Sequence, residues 1–382
     1  MKFLIRTSAP LKLIIAGEWA VLEPEGSGIV AAIDSRLYCE IEPNSIDEIE
    51  ISLLDFNISN IRAKYENDEL VFIQQLSQEA ADHLKIIKFT IETALFILGK
   101  HKTFKIRTWC ERPPCFAKEA ETKLGLGNSA AAIVVVHAAI REFHRLEIET
   151  IEDERTQLLK LSLLTHFAIQ NMKGSGIDVI ASVYGGIILY KTFDHAWLLE
   201  KIENNFPLRT LTEYKWPDLM FEQLPIIPGL HLLLGWTHKP VSTSSLIAQM
   251  QQFKNRQLGI YDEIISAIAK IVKDLTKGWK KGKKDRILTS IRMNENYLKK
   301  LGQNSGIPLE TTELELLCRV ANETGGAGKI SGAGGGDCGI AICFDEKISH
   351  TILNKWQKAG ITSTEVGIDF NGLQIEKIKK EL

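Results

Sequence analysis

The chain has 382 residues, of which 45% are hydrophobic and 25% charged, with a formal net charge of −2. That length suits two domains sharing a cleft, and the near-neutral balance excludes a global pull towards nucleic acid or an anionic membrane, so any anionic ligand must be held by local groups. No apolar run reaches membrane-spanning length, and the opening Met1-Lys2-Phe3-Leu4-Ile5-Arg6 lacks the apolar stretch of a signal peptide. The expectation is a cytoplasmic, soluble protein with no nucleic-acid and no membrane partner, monomer or homodimer. The cysteines Cys39, Cys110, Cys115, Cys318, Cys338 and Cys343 show neither a C-x-x-C pair nor zinc-type spacing and read as reduced core thiols.

In chain order, the opening third is β-rich, with short β-branched or alternating runs at 3–7, 13–16, 29–33, 37–41 and 49–54. Apolar residues at helical spacing (Ala81, Leu84, Ile87, Ile91, Leu95, Leu98) predict a helix over 78–98 that stops at Gly99-Lys100. A strand at 104–109 then leads through Pro113-Pro114 into a glycine turn. Helices are expected over 130–140 and 151–171, a short one after Gly174-Ser175-Gly176, and a strand at 186–190. Pro207, Pro217, Pro225 and Pro228 cluster where periodicity fades, which places a domain junction there and gives domains 1–220 and 221–382. The second half opens with a strand at 230–236 and continues with helices near 244–253, 259–277, 285–301 and 309–323. It closes with a glycine turn at 331–337, a strand at 338–344, a helix at 348–358 and a strand at 362–368. The lysines between 273 and 284 have no aromatic ladder beside them and read as a solvated helix end.

The stretch that organises this order is Lys123-Leu124-Gly125-Leu126-Gly127-Asn128-Ser129-Ala130-Ala131-Ala132. Gly125 and Gly127 can take positive φ and bring backbone N–H groups close to a ligand, while the helix that follows points its free N–H groups and dipole back at the turn. Phosphate fits such a junction. Ser129 adds a hydroxyl able to reach a metal ion or a phosphate oxygen, and Lys123 adds a cation on the approach. The competing reading is an ordinary glycine turn capped by Asn128 or Ser129. No Gly-Lys-Ser/Thr follows, so this is not a Walker A loop.

Three separated motifs make a pattern that none makes alone: Ala9-Pro10-Leu11-Lys12 running on to Gly17-Glu18-Trp19-Ala20-Val21-Leu22, the glycine turn at 123–131, and Ser331-Gly332-Ala333-Gly334-Gly335-Gly336-Asp337. In this order and spacing they resemble the signatures of the galactokinase, homoserine kinase, mevalonate kinase and phosphomevalonate kinase (GHMP) superfamily, over nearly the whole chain. Within it the chain is most similar to the phosphomevalonate kinases, on Gly17-Glu18-Trp19, on Gly174-Ser175-Gly176-Ile177-Asp178-Val179, on Gly235-Trp236-Thr237 and on the Gly-Gly-Gly-Asp-Cys-Gly ending at Gly339. Lys123, two residues before the Gly-Leu-Gly turn, also separates that family from the mevalonate kinases. Position 11 is Leu where the superfamily has Gly, and position 128 is Asn where it has the first of two serines.

The resemblance implies an α+β, two-domain GHMP kinase fold: an N-terminal mixed α/β domain, a C-terminal ferredoxin-like domain, and the active site in the cleft between them. It implies ATP and Mg²⁺ as cofactors and 5-phosphomevalonate as acceptor. It assigns Lys12 and Asp178 to catalysis and Gly125, Leu126, Gly127, Asn128, Ser129 and Ala130 to the nucleotide phosphates. Ser129 also falls on the metal, and Lys123, Ser175, Ser331, Gly332 and Ala333 on the acceptor. Because a phosphate monoester with a second pKa of about 6 is already largely ionised at neutral pH, Asp178 is expected to orient Lys12 more than to act as a base. His166 and Gln170, one helical turn apart, are expected to line the core or cap a helix. Mevalonate kinase, diphosphomevalonate decarboxylase and a non-catalytic ligand sensor of the same fold are the alternatives.

Overall fold

The structure, a computed structural model, describes residues 3–24, 26–99, 101–111, 125–144, 151–239 and 243–379. In chain order its first part contains β1 (Phe3–Ala16), β2 (Gly28–Pro43), β3 (Ile49–Leu53), β4 (Ile58–Glu66), β5 (Glu69–Phe72), α1 (Gln78–Leu98), β6 (Phe104–Glu111), α2 (Asn128–His144), α3 (Ile151–Ile169), α4 (Ile177–Tyr184), β7 (Ile187–Lys191), α5 (His195–Glu203), α6 (Leu208–Glu213) and β8 (Met220–Leu224). The rest comprises β9 (His231–Trp236), α7 (Thr243–Arg256), α8 (Leu258–Lys280), α9 (Lys284–Ser305), α10 (Thr312–Glu323), β10 (Ala327–Ser331), β11 (Cys338–Cys343), α11 (Glu346–Lys358), β12 (Thr362–Val366) and β13 (Gln374–Lys379).

The first sheet runs β13-β1-β2-β6-β3-β4-β5, with β7 also pairing β2 and β8 pairing β7. β1 and β2 each join two runs that the residues had suggested as separate strands. Pro10 is the reason the first break was expected, but it sits at a register shift between Pro10 and Leu11, where a missing N–H costs the ladder nothing. α2 lies on this sheet, and every residue from Ala130 to Ile140 is buried, as befits a helix packed on all sides by β1, β2, α1 and α3. Each fully buried Ile or Val there contributes about 1.5–3 kcal/mol relative to exposure. α1 starts on the Ser77 side chain, which accepts from Ala80 N, and ends at Gly99 in the left-handed region, as its spacing predicts.

The second sheet runs β10-β11-β9-β12, and the order β9, helices, β10, β11, α11, β12 makes it a ferredoxin-like unit. Leu317, Ile352 and Trp356 from α10 and α11 cover one face. Leu232, Leu234, Ile340 and Ile342 on the other merge with the core of the first sheet. The seam between the two sheets is therefore apolar beneath, and polar groups gather along its upper edge, where β1, α2, α4 and β10 meet. A division at 220/221 falls at the start of β8, and β13 returns residues 374–379 to the first sheet alongside β1. β4, β5, α5, α6, β8 and β13 had no clear periodic signal; β5 has only four residues and α6 six. No disulfide joins two of the described cysteines, and Cys115 lies outside the described residues. No helix of the described residues is long and apolar enough to cross a membrane.

Candidate active site

The glycine turn and β1 are locked together by Lys12. Its backbone N–H donates to Leu126 O at 2.8 Å, and its Nζ donates to Gly125 O at 2.9 Å. Gly125 and Gly127 have φ of 56° and 86°, the left-handed region the turn demands. Space demands glycine as well: a Cβ on Gly125 would collide with the Asp337 carboxylate, and one on Gly127 would lie 2.9 Å from Lys12 Cγ and 3.6 Å from Asp178 Cβ. The same numbers place Lys12, Asp178 and Asp337 around one small volume at the turn.

α2 begins at Asn128, and its first turn closes with Ala131 N donating to the Gly127 carbonyl at 3.1 Å. Gly127 thus holds the cap position, Asn128 lies inside the first turn, and the Asn128 cap expected from sequence is not the one formed. The Asn128 Oδ1 is buried and has no partner among the described residues. Leu126 and Ala130 are buried and hold the turn down, while Ser129 is half-buried at the helix start. The free N–H groups of the first turn and the positive end of the dipole are left facing the Lys12 side.

Asp178 occupies the first turn of α4, behind Gly176 at φ 77°. Its Oδ1 accepts from Val179 N at 3.1 Å, and its Oδ2 lies 3.3 Å from His166 Nε2. Burial alone would raise its pKa, but His166 and then Lys12 outweigh it and hold the carboxyl down to about 2. Ser175, just ahead, accepts from Tyr190 Oη at 2.7 Å and Thr192 Oγ1 at 2.9 Å through its carbonyl, and its hydroxyl accepts from Ile177 N at 3.4 Å. These bonds fix the turn that aims Asp178.

The third motif closes the site from the second sheet. Ser331, at the end of β10, is tied to β1: its hydroxyl accepts from Ile14 N at 3.0 Å and donates to Ile14 O at 3.2 Å. Gly332 has φ 93° and open space where a Cβ would stand, whereas Ala333 packs on the helical core of the second half. Asp337 ends the loop. Burial pushes its carboxyl up to about 6, against the pull of Lys12 and hydrogen bonds from Cys338 and Trp236. Lys123 lies outside the described residues.

Below this rim is a second charged cluster. Lys329 Nζ is ion-paired with Glu18 and donates to Ile330 O and, at 3.5 Å, to Ile14 O. Asn294 Nδ2 donates to Glu18 Oε2 at 3.3 Å, and Glu295 Oε2 accepts from Ile330 N at 2.7 Å. Trp19, next to Glu18, has φ 64°, a strained value for an aromatic residue, and lines a cavity of about 160 Å³ with Met172, Lys173, His195 and Met250.

The structure thus brings Lys12, Gly125, Leu126, Gly127, Asn128, Ser129, Ala130 and Asp178 to one place and sets Ser331 two residues along β1 from Lys12. Sequence reasoning missed Asp337 as a neighbour of Lys12, His166 as a partner of Asp178, and the Lys329 cluster. Asp337 had a signal, since it closes the last glycine motif; Lys329 and Glu295 had none. Chemically the site offers a cation, a helix N-terminus and backbone N–H groups for phosphates. Its donors towards a metal are oxygens only, the Ser129 hydroxyl and carboxylates, which suits a hard divalent ion such as Mg²⁺.

Residues 84–186 match the family described as GHMP kinases N terminal domain, and residues 271–362 match GHMP kinases C terminal. The chain is 32% identical over 361 residues to the phosphomevalonate kinase of a Streptomyces species, covering 92% of this chain and 94% of that protein. It is 27% identical over 380 residues to the mevalonate kinase of Thermococcus sibiricus, covering 98% and 99%. Among solved structures, Streptococcus pneumoniae phosphomevalonate kinase in complex with phosphomevalonate and AMPPNP matches with a TM-score of 0.76 at 23% identity, covering 98% of this chain and 99% of that one, a likeness of fold.

Proposed function

The chain belongs to the GHMP kinases, and from that premise we propose that it transfers the ATP γ-phosphoryl group to the phosphate of 5-phosphomevalonate, giving 5-diphosphomevalonate and ADP. The observation that carries the reading is the position of Lys12, whose ammonium is anchored on the glycine turn at the α2 N-terminus and flanked by Asp178 and Asp337. Two polyanions must meet in this reaction, so charge neutralisation and positioning supply most of the catalysis. Lys12 neutralises charge between donor and acceptor, and the N–H groups at Asn128, Ser129 and Ala130 hold nucleotide phosphate. Mg²⁺, when bound, would add further neutralisation at the nucleotide phosphates, held on the protein side by the Ser129 hydroxyl.

Asp178 acts by orientation. A carboxylate held at about 2 is a weak base at neutral pH, whereas an efficient general base has a pKa near the working pH. The acceptor phosphate is already anionic, so no proton needs removing for it to attack. Ser331, Gly332 and the cavity between Trp19 and Lys173 form the acceptor side in this reading, with Lys123 as the cation for its phosphate. The test is ADP release with mevalonate, 5-phosphomevalonate and diphosphomevalonate side by side. Turnover with 5-phosphomevalonate far above that with mevalonate is expected; equal turnover on both would sink the reading, and preference for mevalonate would make the chain a mevalonate kinase.

A further inference from the structure

We propose that His166 is a positioning residue of this reaction: its Nε2–H donates to Asp178 Oδ2 and, with Val179 N–H on Oδ1, fixes the carboxylate that orients Lys12. The inference rests on the proposed phosphoryl transfer and adds a residue to it.

The argument begins with which ring nitrogen holds the proton. His166 is 2% exposed near the end of α3, and its Nδ1 is buried without a partner among the described residues. Its Nε2 faces Asp178 Oδ2 at 3.3 Å and the amide nitrogen Nε2 of Gln170 at 3.1 Å. A proton on Nδ1 would bury an unmet N–H donor and would turn the Nε2 lone pair towards a carboxylate. A proton on Nε2 gives a charge-assisted bond and leaves only a bare lone pair in the core. Gln170 then presents its carbonyl oxygen, since the two ends of an amide exchange by a half-turn.

A neighbouring histidine supplies the contrast. His137, on α2, has its Nε2 2.8 Å from Thr165 Oγ1, also has a bare buried Nδ1, and is pushed down to about 3 by burial. It is a core histidine meeting a hydroxyl. Thr165 and His166 are adjacent on α3, so one helix turns one residue to the core and the next to the site. With both oxygens of Asp178 held, the carboxylate cannot swing away from Lys12, whose stem lies beside Gly127 on the other side of Asp178 Cβ. His166 is too enclosed to meet a ligand and acts through Asp178.

The experiment uses His166→Leu, His166→Gln, Asp178→Asn and the Leu/Asn double variant of the full chain, with ATP and 5-phosphomevalonate. His166→Leu is expected to lower kcat about tenfold to a hundredfold, the cost of a misplaced catalytic group, with KM for ATP unchanged. His166→Gln, whose amide nitrogen reaches the place of the ring Nε2, should keep most of the wild-type kcat. Adding His166→Leu to Asp178→Asn should cost little more, because the residue acts through the one already altered. Full additivity, or equal losses in the Leu and Gln variants, overturns the proposal. A second readout needs no turnover: long-range ¹H–¹⁵N spectra of the free protein should show the His166 proton on Nε2, with the signal identified by its loss in His166→Gln. A bare Nε2, with the proton on Nδ1 alone, overturns the proposal whatever the kinetics. If the wild type turns over none of the three acceptors, the kinase reading fails while the spectra still decide the histidine.

Discussion

Lys12 and Lys329 are both buried and both near carboxylates, one on β1 and the other bonded to it, but their surroundings differ in what is left over. Lys329 is 0% exposed, and its ammonium meets the Glu18 carboxylate and two carbonyls, which takes up its three donors. Lys12 is 7% exposed and its ammonium, among the described residues, makes one hydrogen bond, to Gly125 O; Asp178 and Asp337 act on it through space. A buried charge with every donor met is part of the framework. One with donors unmet, beside a glycine turn and a helix N-terminus, is what the proposed phosphoryl transfer uses to meet an anion.

The strongest way to break this comparison is Lys329→Met. It strands Glu18 as an uncompensated buried charge and should lower stability by about 3–5 kcal/mol, read as a drop in the urea midpoint. A loss below about 1 kcal/mol would mean the pair is not what holds the seam. Lys12→Met should do the reverse, leaving the urea midpoint near wild type while lowering kcat by about 10²–10³, or roughly 3–4 kcal/mol. Asp178→Asn should cost less than Lys12→Met and keep a pH profile that follows ionisation of the acceptor phosphate. If it is the deader of the two with substrate binding intact, Asp178 is a base after all.

A smaller effect sharpens the framework side through pH. Burial pushes the Glu295 carboxyl from an ordinary 4.5 up to about 8, against the pull of Lys329. The folded state therefore keeps a proton that the unfolded chain releases. The contribution of Glu295 to stability is fullest below about 4.5 and declines as pH rises towards 8. Glu295→Gln should flatten that decline, and urea midpoints at pH 5 and pH 8 for both proteins would check it. The smallest change is Ser129→Ala, expected to raise the ATP and Mg²⁺ concentrations needed for half-maximal rate several-fold with the fold intact; unaltered dependence would make Ser129 a helix-start residue only.

The glycine turn was legible in the sequence because its chemistry is local: glycines that need positive φ and a helix start; Lys12 and Asp178 were singled out by the family resemblance of the motifs that hold them. The closing β-α-β order was legible through its punctuation, and its ferredoxin-like arrangement was what the family resemblance implied. What stayed hidden depends on contacts between distant residues. Lys329 and Glu18 are 311 positions apart, and a lysine in the middle of a five-residue strand gives no sign that it will be sealed against β1. His166 was expected as a core residue, which describes its burial correctly and overlooks the carboxylate it faces. β13 was missed because Gln374–Lys379 alternates weakly and is mostly exposed, its pairing decided by β1 and not by its own residues.

That last strand has a consequence for how the protein is made. Phe3 pairs with Lys379 and Ser8 with Gln374, so one side of β1 has its partner supplied by almost the last of the described residues. At about 5–20 residues per second, β1 spends on the order of tens of seconds of translation with that side open. An open strand edge invites pairing with another chain. A product cut short before residue 374 would carry Lys12, Asp178 and both glycine turns, yet present the strand that bears Lys12 as a free edge, so completeness of synthesis and exposure to aggregation are linked in this fold by a single six-residue strand.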